Sequence, residues 1–162
     1  MPSTRALLLP SVVLLLVTSG CPPGSVPLRP DGSPGPEKCP EEALKIMRFI
    51  GMEVGDAADV ELDANQMDAR PITLYDGPVE SFLEESLGAL DPGTRLYGRV
   101  WTGGPQVVVR YYEARPPGKD TVPICAVARL GRGQMRKRPE SKPGTAILDY
   151  SGALAFVVDS FR

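Results

Sequence analysis

The run Arg95-Leu96-Tyr97-Gly98-Arg99-Val100-Trp101-Thr102-Gly103-Gly104-Pro105-Gln106-Val107-Val108-Val109-Arg110-Tyr111-Tyr112 carries two alternating segments on either side of a Gly-Gly-Pro turn, the pattern of a β-hairpin. With Gly103-Gly104 as a two-residue loop, Thr102 faces Pro105, Tyr97 pairs with Arg110, and Arg99 pairs with Val108. Leu96, Val100, Val107, Val109 and Tyr111 then share one face, expected to be the core side. Arg95, Tyr97, Arg99, Trp101, Gln106, Val108, Arg110 and Tyr112 share the other, where three guanidinium groups interleave with three aromatic rings. Such a face stacks on sugar rings and pairs with carboxylates or phosphates. Ordinary cross-strand pairing on a solvated surface is the plainer reading of the same residues.

Outward from the hairpin, further strands are expected at 59–63, 72–74, 121–130 and 145–158, the last ending in an apolar run, Leu154 to Val158, that reads as buried on both sides. Turn chemistry separates them at Asp76-Gly77-Pro78, Asp91-Pro92-Gly93 and Pro116-Pro117-Gly118. Val79 to Leu90 suits either a strand or a short helix. One helix is expected after Cys39: Pro40 suits its first position, Glu41 and Glu42 complement the positive end of its dipole, and Gly51 suits its stop. Ala43, Leu44, Met47 and Ile50 recur at helical spacing, which predicts one face packed on a sheet. The expected fold is therefore mainly β, a sandwich or small barrel with one short N-terminal α-helix.

At the chain start, Arg5 precedes an apolar stretch from Ala6 to Val17, too short to span a bilayer, which takes ~20 residues. Thr18-Ser19-Gly20-Cys21 follows at once. The arrangement resembles the signal peptide and lipobox of bacterial lipoproteins, with Thr18 where an aliphatic residue is usual. The resemblance implies that residues 1–20 are removed and that Cys21 becomes the acylated first residue, and Pro22 in place of Asp implies delivery to the outer membrane. Simple secretion is the alternative. Residues 22–38 hold six prolines and three glycines, so residues 21–38 read as a lipidated cysteine and an extended tether to one globular domain at 39–162.

Cys39 and Cys125 remain, and two thiols in an oxidising compartment are expected to form a disulfide. Two free buried thiols are the alternative.

The chain has 162 residues, 42% apolar and 23% charged, and a formal charge of −2, so it presents no basic field for nucleic acid. Histidine is absent, which excludes Ser-His-Asp and Cys-His catalysis and a HExxH zinc site. Asp59, Glu61, Asp63 and Asn65 imitate a calcium loop, but Ala64 and Arg70 stand where that loop needs Gly and Glu. No metal, cofactor or catalytic residue is expected. Arg132, Arg136, Lys137 and Arg138 form a candidate anionic contact, with a solvated charged loop as the alternative. Glu80, Glu84 and Asp149 would carry a hydrolase or transferase reading based on carboxylates.

The signal, the Cys39-Pro40-Glu41-Glu42-Ala43-Leu44 helix start, the block from Pro92 to Gly103 and the Ser141-Lys142-Pro143-Gly144 turn together resemble a group of small myxobacterial lipoproteins. Members of that group often carry a transferred label of serine/threonine protein kinase. The Val-Ala-Ile-Lys, His-Arg-Asp and Asp-Phe-Gly segments that a kinase requires are missing here. Pro92-Gly93-Thr94, Leu96, Gly98, Val107 to Arg110 and Pro117-Gly118 are also similar to the barrel segment of channel proteins from conjugation systems related to VirB-type secretion, which implies a β fold. The expected role is a lipid-anchored envelope protein that binds or assembles without catalysis. Its expected partners are the membrane and an envelope polysaccharide or another envelope protein, from a position facing the periplasm or the cell surface.

Overall fold

The computed structural model describes residues 26–131 and 133–162. In chain order the elements are β1 (Glu37–Lys38), α1 (Glu41–Phe49), β2 (Ala57–Glu61), β3 (Ile72–Tyr75), β4 (Gly77–Leu83) and β5 (Arg95–Trp101), then β6 (Gln106–Arg115), β7 (Val122–Arg129), β8 (Met135–Arg136), β9 (Thr145–Leu148), β10 (Gly152–Val157) and β11 (Ser160–Phe161). Six antiparallel strands in the order β5-β4-β2-β10-β7-β6 close on themselves through β6–β5, which makes a barrel. The fold is thus mainly β with a single short helix. β8 extends the rim beside β6, while β3–β9 and β1–β11 form two small outer ribbons.

Closure of a six-stranded barrel leaves little interior width, so the inward side chains must be chosen by volume. Ala126, Ala128, Ala153 and Ala155 from β7 and β10 are buried and leave room for Leu83, Leu96 and Tyr111 from the other strands and for Leu62 just past β2. The Tyr111 hydroxyl donates to Ser81 Oγ at 2.8 Å, and Ser81 Oγ donates to the Leu62 carbonyl at 2.7 Å. Both buried hydroxyls are satisfied.

α1 buries Ala43 and Met47 against β7, and the Cys125 backbone N–H reaches Met47 Sδ at 3.2 Å. Cys39 and Cys125 form the expected disulfide, with Cα atoms 6.0 Å apart across 86 residues of sequence, and it pins the helix start to β7. Pro40, expected at the first helical position, stands one residue before it with extended backbone and no side-chain cap, and Gly51, at φ +69°, ends the helix.

The structure corrects four local expectations. The hairpin register is shifted by two: Trp101 pairs with Val108 and Arg99 with Arg110, so residues 102–105 connect the strands. An even shift preserves which side chains share a face. A β-bulge after Tyr97 then opposes that residue to Glu113 and leaves Tyr112 unpaired. Gly98 permits the bend, because a Cβ there would lie 1.9 Å from the Arg110 carbonyl oxygen. Gly77-Pro78 opens β4 rather than a turn, and the ambiguous stretch from Val79 resolves as strand to Leu83 followed by a tight Leu87–Leu90 bridge. Gly152 to Val157 alternates between half-buried and buried, because its outer face lies on the barrel wall and is not sandwiched by another layer.

The fourth correction concerns the N-terminal segment. Residues 26–38, expected to belong to an extended tether, fold onto the barrel instead. Leu28 bridges Pro34, Arg29 N–H reaches the Ser33 carbonyl at 2.8 Å, and Gly35 N–H reaches the Pro27 carbonyl at 2.7 Å, so residues 27–35 make a small hairpin. Asp31 accepts from Ser33 N–H at 2.9 Å, and Gly32, at φ +82°, completes the turn. A Cβ on Gly32 would come within 2.8 Å of the Gly103 backbone. The Gly103-Gly104 pair therefore serves as a seat for this strap as well as a turn.

Candidate functional site

Arg110 projects from the outer face of β6, yet the strap leaves it only 1% exposed. Its Nη2 donates to the Gly35 carbonyl at 2.8 Å, and its Nη1 lies 3.3 Å from Glu37 Oε2. The guanidinium is held between two rings, 5.3 Å from the Trp101 centroid and 5.0 Å from that of Phe161. Tyr112, displaced by the bulge, donates its hydroxyl to the same Glu37 oxygen at 2.9 Å and meets Phe161 edge-on at 5.2 Å. Burial pushes the Tyr112 hydroxyl well above the usual phenol range, and the Glu37 carboxylate beside it pushes further in the same direction. The strap thus supplies a counter-charge, a carbonyl and a cover to a cation that the barrel alone would leave on its surface.

An open groove of about 860 Å³ runs beside this cluster, between the strap and the β5–β6 hairpin. Trp101 and Tyr112 give it aromatic walls, Glu37, Asp76 and Arg99 give it both signs of charge, and Leu28 forms an apolar lip. Arg99 lies 5.4 Å from the Trp101 centroid and 3.7 Å from Asp76 Oδ2. Asp76 in turn accepts from the Thr102 backbone N–H at 2.9 Å.

Eight residues of the hairpin were expected to share one face, six of them its arginines and aromatic rings. Arg99, Trp101, Arg110 and Tyr112 do gather around Glu37, but Trp101, at 4% exposure, and Arg110 are covered by the strap. Arg95 and Tyr97 stand beyond the bulge in a separate shallow groove, where Arg95 pairs with Glu80 and Arg115 stacks on Tyr97 at 5.3 Å. The flat, open face is therefore a half-covered cleft.

Arg132 lies outside the described residues, as do Cys21 and the leader. Lys137 Nζ donates to the Thr102 carbonyl beside the groove, and Arg136 lies opposite Gln106 on the rim strand. Arg138 points elsewhere, 2.6 Å from Asp149 and 3.8 Å from Glu140. The carboxylates of the hydrolase reading lie apart: Glu80 pairs with Arg95, Asp149 with Arg138, and Glu84 lies by Arg129 and the Gly152–Leu154 wall. Desolvation raises the Glu84 pKa, and Glu61 and Asp59 add to the effect, which is the signature of crowded acids.

Glu37, Asp76 and the Pro34-Gly35 contact were not anticipated. Their only advance signal was the Asp31-Gly32 turn pair inside a segment whose proline content otherwise reads as linker. No protein-family model and no curated protein matches the chain.

Proposed function

We propose that this is a lipid-anchored envelope protein that binds rather than transforms its ligand, held at the outer membrane by acylated Cys21, with the strap–hairpin groove as its binding site. The resemblance to small myxobacterial lipoproteins and the lipobox-like residues before Cys21 support the anchor. The Cys39–Cys125 disulfide is compatible with a place outside the cytoplasm. The groove carries the functional reading: the half-buried Tyr112 ring, Arg99 and the carboxylates of Glu37 and Asp76 suit a hydroxyl-rich ligand that donates hydrogen bonds and brings an anionic group to Arg99, as envelope saccharides do. Another envelope protein presenting the same chemistry would occupy it in the same way.

The decisive variant is Arg99→Ala, because Arg99 faces solvent and removing it leaves the buried Arg110–Glu37 pair untouched. Pull-down against peptidoglycan, lipopolysaccharide and envelope extracts should retain the wild-type protein and lose about ten-fold in retention for Arg99→Ala. Equal retention of the two proteins would remove the groove from this account.

A further inference from the structure

The hairpin surface and the basic rim meet through Lys137 at one end of the barrel. Thr102 joins them: its N–H donates to Asp76 of the groove, and its carbonyl accepts from Lys137. The strap and the rim strand bring the exposed Arg29 and Arg136 to this end, with Arg99 and Lys137, against the acids Asp31, Glu37 and Asp76. Leu28, 61% exposed, projects from the strap hairpin whose tip sits on Gly103. An exposed leucine beside a small excess of positive charge is the composition of an element that rests in a headgroup layer.

Chain length adds a constraint. Five residue steps separate Cys21 from Val26, and at ~3.6 Å each they reach no further than about 18 Å. Val26 itself lines the groove. A bilayer anchor at Cys21 therefore keeps the Val26 edge of the domain within that reach of the surface.

We propose that the strap hairpin and the β5–β6 end form the membrane-facing surface of this protein, with Leu28 seated among lipid headgroups and Arg29, Arg99, Arg136 and Lys137 against lipid phosphates. The groove then opens onto the bilayer margin, and ligands reach it from the membrane surface. The opposite end, marked by Phe49 at 89% exposure beside the Leu87–Leu90 turn that leads into β5, faces away. This pose rests on the anchored reading of Cys21.

The experiment uses the acylated protein extracted from membranes and reconstituted in vesicles of phosphatidylethanolamine and phosphatidylglycerol, half of them made with brominated lipid. The only native tryptophan is first changed by Trp101→Phe, which keeps a ring over Arg110. Leu28→Trp or Val26→Trp then places the probe at the proposed contact, and Phe49→Trp places it at the far end. Brominated lipid should cut emission of the Leu28→Trp and Val26→Trp proteins by about two-fold and leave Phe49→Trp unchanged. Adding Arg29→Glu and Arg136→Glu should weaken that quenching. Quenching at position 49 equal to or above that at 28, or none at any position, overturns the pose. Radiolabelled fatty acid reports Cys21 acylation separately. Should Cys21 take no label, the anchored reading fails, and the same variants coupled through the Cys21 thiol to a maleimide lipid still decide which end the geometry turns to a surface.

Discussion

Arg110 and Glu37 lie 73 residues apart in sequence and meet with Nη1 and Oε2 3.3 Å apart, the arginine 1% exposed and the glutamate about a third exposed. The barrel contributes the cation and two aromatic rings; the strap contributes the anion. Each half leaves a desolvated or uncovered group without the other, so this pair ties the N-terminal segment to the folded body.

Removing the anion should therefore cost more than removing both charges. Glu37→Gln leaves a buried guanidinium without its counter-charge and should lower stability by about 2–4 kcal/mol, the exposure of Glu37 keeping it below the cost of a fully buried pair. Arg110→Met combined with Glu37→Gln should recover part of that loss. Denaturant midpoints of the two single variants, the double variant and wild type measure the coupling, and additive losses would count against a strap held by this pair.

Alkaline pH should destabilise the fold through its tyrosines. Burial raises Tyr111 and Tyr112 above their ordinary value of 10.0, so above that pH the unfolded chain releases protons that the folded chain keeps. The tyrosine contribution is level below pH 10 and falls as pH rises beyond it, by up to ~1.4 kcal/mol per pH unit from the fully buried Tyr111 and less from the part-exposed Tyr112. Tyr111→Phe should remove the larger share of that slope. Urea unfolding at about pH 9, 10.5 and 12 gives the comparison, and an unchanged slope in the variant would contradict it.

Two glycines should respond differently to alanine. At Gly98 the new Cβ meets the Arg110 carbonyl at 1.9 Å, so Gly98→Ala must open the barrel seam and should cost about 3 kcal/mol or more. At Gly118 nothing lies within 4 Å, and only its φ of +68° resists substitution, for about 1 kcal/mol. Thermal melts of both variants rank the two costs.

Reduction of Cys39–Cys125 should release an 86-residue closure and lower stability by ~4–5 kcal/mol in the chain-entropy account. Paired denaturant curves with and without reductant provide the measurement.

The strands were legible because their inward residues obey a two-residue period, and the outcome for 95–101 and 106–115 shows it: even with the loop misassigned, Val100 and Val109 face inward together. Barrel closure was less legible, since it depends on Gly98 allowing a bulge that local sequence does not distinguish from an ordinary small residue in a strand. The site was half legible. Alternation placed Arg99, Trp101 and Arg110 together, but it carries no information about what covers a face. That cover comes from Gly35 and Glu37, in a segment with no apolar period, which meet Arg110 through one backbone carbonyl and one carboxylate. Prolines that look like a spacer in isolation here flank and bridge a small hairpin, Leu28 to Pro34, that docks on the barrel.

The most direct measurement for the account as a whole is the intact mass and cellular fraction of the protein recovered from its native cell envelope, beside a Cys21→Ala variant. The account predicts a membrane-bound chain that begins at Cys21, lacks residues 1–20 and carries fatty acyl groups on that cysteine, with the variant lost from the membrane. A cytosolic protein that retains its leader and an unmodified Cys21 would contradict it.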